Sequence, residues 1–205
     1  MLSKKKTFLK LIYKLNKNYY NILLSNFILN LLPKSIKHIF LNFNTLNINL
    51  NYISNFLNFI YFLKNSFFFQ FKTLIDITVI DYPFNLDKRF KIIYSFLSFD
   101  VSNRLNLIFL LKEWNFFLSI TNSFKSAEWV EREVWDMFGI WFFGHKNLRR
   151  ILTDYIFKGF PLKKDFPLNG YIHVYYNYIS GFIVLSRIYS MQEYRVFSFK
   201  SPWLL

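Results

Sequence analysis

Three runs between residues 71 and 111 limit the possible fold more than any other feature. Residues 71–80 (with Leu74, Ile75, Ile77, Val79 and Ile80), 89–99 and 103–111 are rich in β-favouring apolar side chains. Asp81-Tyr-Pro-Phe-Asn-Leu-Asp87 and Asp100-Val-Ser-Asn103 separate them. Pro83 breaks the first connection, and the second is short enough for a hairpin, so the runs predict a strand meander. Such a sheet needs a cover for one face. Upstream, Phe8, Leu11, Ile12 and Leu15, then Ile22, Leu23, Phe27 and Leu31, recur at helical spacing over 7–32, up to Pro33. Residues 39–50 alternate apolar residues with Asn and predict one half-buried strand. Ile53, Phe56, Leu57, Ile60 and Leu63 restore the helical period over 51–64. The order predicts an α+β fold, with helices packed on a mostly antiparallel sheet.

A capped helix follows the meander. Ser126 stands at its N-terminus and Gly139 where a left-handed C-terminal cap is wanted. Ala127, Val130, Val134, Met137 and Phe138 form its apolar stripe; Glu128, Arg132 and Asp136, four apart on another face, permit an ion ladder that is weak if exposed. Beyond Gly139 the pattern becomes irregular and charged, with short strands at 172–176 and 182–188. Three parts result: a basic helical segment (1–35), an α+β domain (36–145) and an extended, irregular C-terminal docking segment (146–205).

Composition narrows function by exclusion. The chain has no cysteine, which removes disulfides, thiolate catalysis and cysteine-ligated clusters. His38, His145 and His173 are too scattered to read as a ligand set, so no metal site is expected. No Gly-rich strand-to-helix turn for NADH or flavin occurs. Residues 38–63 lack charge but include seven Asn between 42 and 58, which a lipid-facing helix would not tolerate; no direct membrane span is expected. The start, Met1-Leu-Ser-Lys-Lys-Lys, lacks the character of a transit peptide. The 28 Phe and 21 Asn, against a single Ala, fit the A/T-biased gene of a small organellar or parasite genome, and an organelle-encoded protein is expected. Net charge is +14, with ten Lys and no acid over residues 1–75, which suits a polyanionic neighbour. That charge also suits the alternative reading, a basic organellar ribosomal or other nucleic-acid-binding protein.

Residues 127–171 depart from this bias. They hold six acidic residues, the pair Arg149–Arg150, the only Ala and four of the five Gly. The run Ala127-Glu-Trp-Val-Glu-Arg-Glu-Val-Trp-Asp-Met-Phe-Gly-Ile140 resembles the signature of the 30-kDa-subunit family of respiratory complex I. Gly144-His145, Leu148-Arg-Arg-Ile-Leu-Thr-Asp-Tyr155, Phe157, Gly159, Pro161-Leu-Lys-Lys-Asp-Phe-Pro-Leu168 and Gly170-Tyr171 continue the resemblance in order. Leu74-Ile-Asp-Ile-Thr-Val-Ile-Asp-Tyr-Pro83 resembles the family's first strand and turn, and Gln192-Glu-Tyr-Arg195 with Ser201-Pro-Trp203 the end of its mitochondrial members. Departures are Lys146-Asn147 for Pro-Asp, Ile156 for Gly, Lys158 for an acid and Phe160 for His.

The resemblance implies a structural subunit of the hydrophilic arm of proton-pumping NADH:ubiquinone oxidoreductase. It would lie on the matrix side of the mitochondrial inner membrane, with a plastid member as the near alternative. Family members carry no cofactor of their own, although the whole complex uses FMN, iron–sulfur clusters and ubiquinone. The expected partners are other complex I subunits, chiefly the large quinone-site subunit and its cluster-bearing neighbour, and no nucleic acid. Glu131, Glu133 and Asp136 are spaced two and five apart on the helix, so no catalytic centre is expected. The expected docking residues are Glu131, Arg132, Glu133, Asp136, His145, Arg149, Arg150, Asp154, Lys163, Lys164, Asp165 and Tyr171.

Overall fold

Alternation along two strands sets the architecture. In β4 (Phe90–Ser98), Phe90, Ile92, Tyr94 and Phe96 point to one face. In β5 (Asn103–Leu111), Leu105, Leu107, Phe109 and Leu111 do the same. Alternating burial on paired strands, strict in β4 and broken only at buried Ile108 in β5, means one face of the sheet is covered and the other is largely not. The structure is a computed structural model that describes residues 17–31, 36–42, 45–50, 56–67, 69–189, 195–201 and 203. It falls into two units, 1–165 and 166–205.

In the first unit, β1 (Ile36–Asn42), β2 (Thr45–Leu50), β3 (Thr73–Asp81), β4 and β5 form one sheet of order β1-β2-β5-β4-β3. Only the β2–β5 pair in it is parallel. Helices α1 (Lys17–Leu31), α2 (Phe56–Asn65) and α3 (Ala127–Phe138) contribute to the core on the covered face. From α2, Phe56, Phe59, Ile60 and Leu63 are buried. Phe56 centres an aromatic cluster, 5.4 Å from Tyr94, 4.9 Å from Phe109 and 5.0 Å from Phe117, within the range where edge-to-face rings attract. The fold is therefore α+β, as the element order predicts. No helix among the described residues is long and apolar enough to cross a membrane.

Several local expectations need correction. The alternating run 39–50 is not one strand but the hairpin β1–β2, in which Asn42 pairs with Thr45. Alternation continues through so short a connection, so the period alone does not reveal the turn. Thr45 Oγ1 donates to the Asn42 carbonyl at 2.6 Å and closes it. Ser126 makes no side-chain cap; its backbone is already helical. The first amides of α3, at Ala127 and Glu128, instead donate to the carbonyls of Phe124 and Lys125. A preceding turn thus does the work of a capping hydroxyl. The ladder positions Arg132 and Asp136 on α3 are buried. Of the predicted helices, residues 7–16 and 51–55 lie outside the described residues.

The second unit contains the hairpin β8 (Ile172–Asn177) and β9 (Phe182–Arg187). Its apolar side chains, among them Ile172, Val174, Phe182, Ile183 and Leu185, are exposed.

Candidate functional site

Helix α3 is held between two short strands that pair in parallel, β6 (Phe117–Leu118) before it and β7 (Phe142–Phe143) after it. The amide of Phe117 donates to the Trp141 carbonyl at 2.8 Å, and that of Ser119 to the Phe143 carbonyl at 2.9 Å. Gly139 ends the helix at φ +76, and its amide donates to the Trp135 carbonyl at 2.9 Å. Only glycine suits this position twice over, since a Cβ there would lie 2.6 Å from the Phe160 ring. The amide of Leu162 donates to the Met137 carbonyl at 3.1 Å, so the returning chain satisfies a helix-end acceptor.

Asp136 organises that return. Its side chain is wholly buried. One oxygen accepts the successive amides of Ile151 (3.2 Å), Leu152 (2.8 Å) and Thr153 (2.9 Å). The other accepts Arg150 Nη1 at 2.8 Å and the Thr153 hydroxyl. Burial pushes the carboxyl up, but the Thr153 hydroxyl, the amides and Arg150 outweigh it and set the pKa at about 2. Arg150 also donates to the Gly159 carbonyl at 2.8 Å and lies over the rings of Phe157 and Phe160. Consecutive amides converging on one anion form a nest, and this one fixes the loop to the helix.

Glu131 is also wholly buried, but it has fewer partners. Its oxygens accept the Ser119 hydroxyl at 2.6 Å and the Ile120 amide at 2.8 Å. Burial dominates these bonds and pushes its pKa to about 7. Arg132 is buried, donates to the Arg149 carbonyl at 3.3 Å and lies over Trp129. Half-buried His145 places Nε2 3.1 Å from the Glu128 carbonyl, while Nδ1 accepts the Asn147 amide at 3.1 Å. That pairing selects the Nε2–H tautomer. Glu133, Arg149 and Asp154 are exposed. Of the adjacent arginines, then, Arg150 faces inward and Arg149 outward.

A second network ties residues 163–165 to the sheet. Arg89 Nε donates to Asp81 at 2.9 Å, Arg89 Nη1 meets Glu113 at 2.8 Å and Nη2 pairs with Asp165. Lys163 reaches Glu113 at 3.1 Å, and the Lys164 amide donates to Asp81 at 2.9 Å, leaving the Lys164 side chain exposed. Burial raises the Asp81 carboxyl, but Arg89 and the Lys164 amide more than reverse this; the bond to Asp81 holds the Arg89 guanidinium charged. Asp81, Arg89 and Glu113 are not among the residues expected from the sequence. A signal exists for the first two: Asp81 ends β3 where its antiparallel partner β4 begins at Phe90, directly after Arg89. Tyr171 lies in the second unit, exposed, edge-on to Phe166 at 5.3 Å.

The inner charges of 127–165 are thus used within the chain, while its outer surface mixes exposed charges, among them Glu133, Arg149 and Asp154, with large apolar side chains. Trp129, Trp141, Phe143, Leu152, Tyr155 and Ile156 are exposed, Tyr155 and Ile156 by 79% and 82%. Large exposed apolar surface of this kind marks contact with another molecule.

The fold matches a chain in the structure of the membrane-bound sulfane sulfur reductase, an archaeal respiratory membrane complex. The TM-score is 0.60 at 20% identity, over 71% of this chain and 84% of that one, a likeness of fold alone. The family described as respiratory-chain NADH dehydrogenase, 30 Kd subunit, matches residues 53–172. The chain is 48% identical over 150 residues to an NADH-quinone oxidoreductase subunit of Ruegeria pomeroyi, covering 73% of this chain and 74% of that protein. It is 45% identical over 145 residues to NADH-ubiquinone oxidoreductase subunit 9 of Prototheca wickerhamii, covering 71% and 75%. Against subunit 9 of Acanthamoeba castellanii it is 46% identical over 151 residues, covering 73% and 75%. The chain belongs to the 30-kDa-subunit family of the respiratory-chain NADH dehydrogenase, complex I.

Proposed function

We propose that the chain is a structural, cofactor-free subunit of the hydrophilic arm of mitochondrial complex I. It sits on the matrix side of the inner membrane, beside the large quinone-site subunit and its cluster-bearing neighbour, and is needed to assemble the quinone-reducing module. It thereby supports electron transfer from NADH to ubiquinone without a catalytic centre of its own, and it is made within the organelle. The observation that carries this reading is the division of labour in 127–165. Buried Asp136 and half-buried Arg150 fix the returning loop to the helix, and exposed aromatic residues with Arg149 face outward. Guanidinium forks and exposed Trp and Tyr are the side chains that most often anchor protein–protein contacts. Without cysteine the chain has no thiolate for a cluster, and the ring of His145 is already engaged by the backbone.

Arg149→Ala tests the reading. If Arg149 docks, the variant yields less assembled complex on a native gel, while NADH:ubiquinone turnover per assembled complex stays normal. Normal complex abundance with turnover lower by about 100-fold would place Arg149 in catalysis instead. Mass spectrometry of the gel tests membership directly: the chain should migrate with the NADH-oxidising band, and migration with ribosomal proteins would end the proposal.

A further inference from the structure

The sheet face turned away from the helices contains a cleft. Between the core positions of β2, β4 and β5, alternation sends Asn49, Lys91, Ile108 and Leu110 to this face. Register sets Asn49 beside Ile108 and Lys91 beside Leu110. The β3–β4 connection supplies Tyr82, Asn85 and Lys88 along the rim, and together these residues line an open cleft of about 280 Å³.

Two features define what would fill it. Two ammonium groups, Lys88 and Lys91, stand along it, and neither makes an ion pair among the described residues. The nearest acid in sequence, Asp87, is taken by Lys112 at 2.8 Å. Ile108 and Leu110 give the cleft an apolar floor. An occupant that satisfies both brings a negative charge and an apolar side chain. A peptide does so. A phosphate ion has nothing to set on the apolar floor. The chain's own first sixteen residues do not fit, since they carry five Lys and no acid.

We propose that this cleft receives an acidic segment of a neighbouring subunit. An Asp or Glu carboxylate lies between Lys88 and Lys91, and an apolar side chain covers Ile108 and Leu110. This surface is distinct from the aromatic surface around α3, and it rests on the chain being assembled into the complex. Charge complementarity of this type fixes register and steers encounter.

The test is zero-length carbodiimide cross-linking of the intact purified complex, with mass spectrometry of the products. Lys88 or Lys91 should be recovered joined to an Asp or Glu of another subunit. Both lysines should also be acetylated roughly tenfold more slowly in the complex than in the full chain alone, the factor for a cleft filled about nine-tenths of the time. If this chain's peptides are present but both lysines label as in the free chain and no cross-link forms, the cleft proposal falls and membership stands. If this chain's peptides are missing from the complex, membership itself falls, and the proposal with it. Inorganic phosphate or phosphatidylserine vesicles protecting the two lysines of the free chain would identify a phosphate-binding site and overturn the acidic segment.

Discussion

Glu131 and Asp136 lie five residues apart on one helix, both wholly buried, yet their protons behave in opposite ways. Asp136 accepts five donors, one of them a guanidinium, and its pKa falls to about 2. Glu131 accepts two neutral donors, and its pKa rises to about 7. Neither side chain is exposed, but Glu131 is packed deeper, so burial costs its charge more, and it also has fewer positive and N–H partners to offset that cost. Asp136 faces a loop that returns to the helix end and brings its donors in sequence. Glu131 faces the strand before the helix, beside the aromatic core. The first carboxylate fastens a segment, and the second is a latent cost that appears only when it ionises.

The widest separation between the two should come from removing Asp136. Asp136→Ala leaves half-buried Arg150 and the amides of 151–153 without this acceptor, and should destabilise the full chain by about 2–4 kcal/mol in urea unfolding at neutral pH. A loss below about 1 kcal/mol would mean that water replaces the carboxylate and that the nest is not structural. The lowered pKa gives the sign of the acid limb. From an ordinary 3.8 down to about 2, it supplies roughly 2 kcal/mol that is present above pH 4 and disappears as pH falls through 2.

Glu131→Gln should act in the opposite direction and only at high pH. The folded pKa of about 7 lies above the ordinary 4.5, so wild-type stability falls as pH rises from 4.5 to 7, by up to about 3 kcal/mol, and stays lower above that. The amide carries no proton to lose. The variant should match wild type at pH 4 and exceed it at pH 8, read as the difference between the two unfolding curves. Equal stability at both pH values would show that Glu131 remains charged and solvated, and the contrast with Asp136 would disappear.

Sequence patterns reach part of this picture. The expected bounds of α3 and β5, 127–138 and 103–111, agree with Ala127–Phe138 and Asn103–Leu111, because a glycine stop and an apolar run opened by a short turn are local signals. The α+β class follows from the order of such signals. Burial of charge is not local. Arg150 is 14 residues from Asp136, and Asp165 is 76 from Arg89, so spacing on a helix cannot show that these groups meet. Glu128, Arg132 and Asp136 share a helical period that permits a ladder, whereas the returning loop covers Asp136 and gives it Arg150. Arg149 and Arg150 look equivalent in the sequence, and only the fold turns one inward and leaves the other outside.

The smallest expected effect concerns how many donors it takes to move a buried carboxylate. Ser119 gives Glu131 one of its two hydrogen bonds and also lies 2.9 Å from the Thr121 hydroxyl. Ser119→Ala leaves the Ile120 amide as the remaining donor. Hydrogen bonds to the ionised form are what restrain the effect of burial, so losing one should raise the Glu131 midpoint by about one unit. That corresponds to about 1.4 kcal/mol of further destabilisation above the new midpoint, and to almost none at pH 4, where the group is protonated in both forms. The protonated carboxyl has its own C=O stretching band, so an infrared pH titration of the full chain reads the midpoint directly, with Glu131→Gln assigning the band. Asp136 should not move in the same variant, since none of its donors involves Ser119. An unshifted Glu131 midpoint would mean that the hydroxyl does not restrain the charge, leaving the Ile120 amide as the only hydrogen bond that opposes burial there.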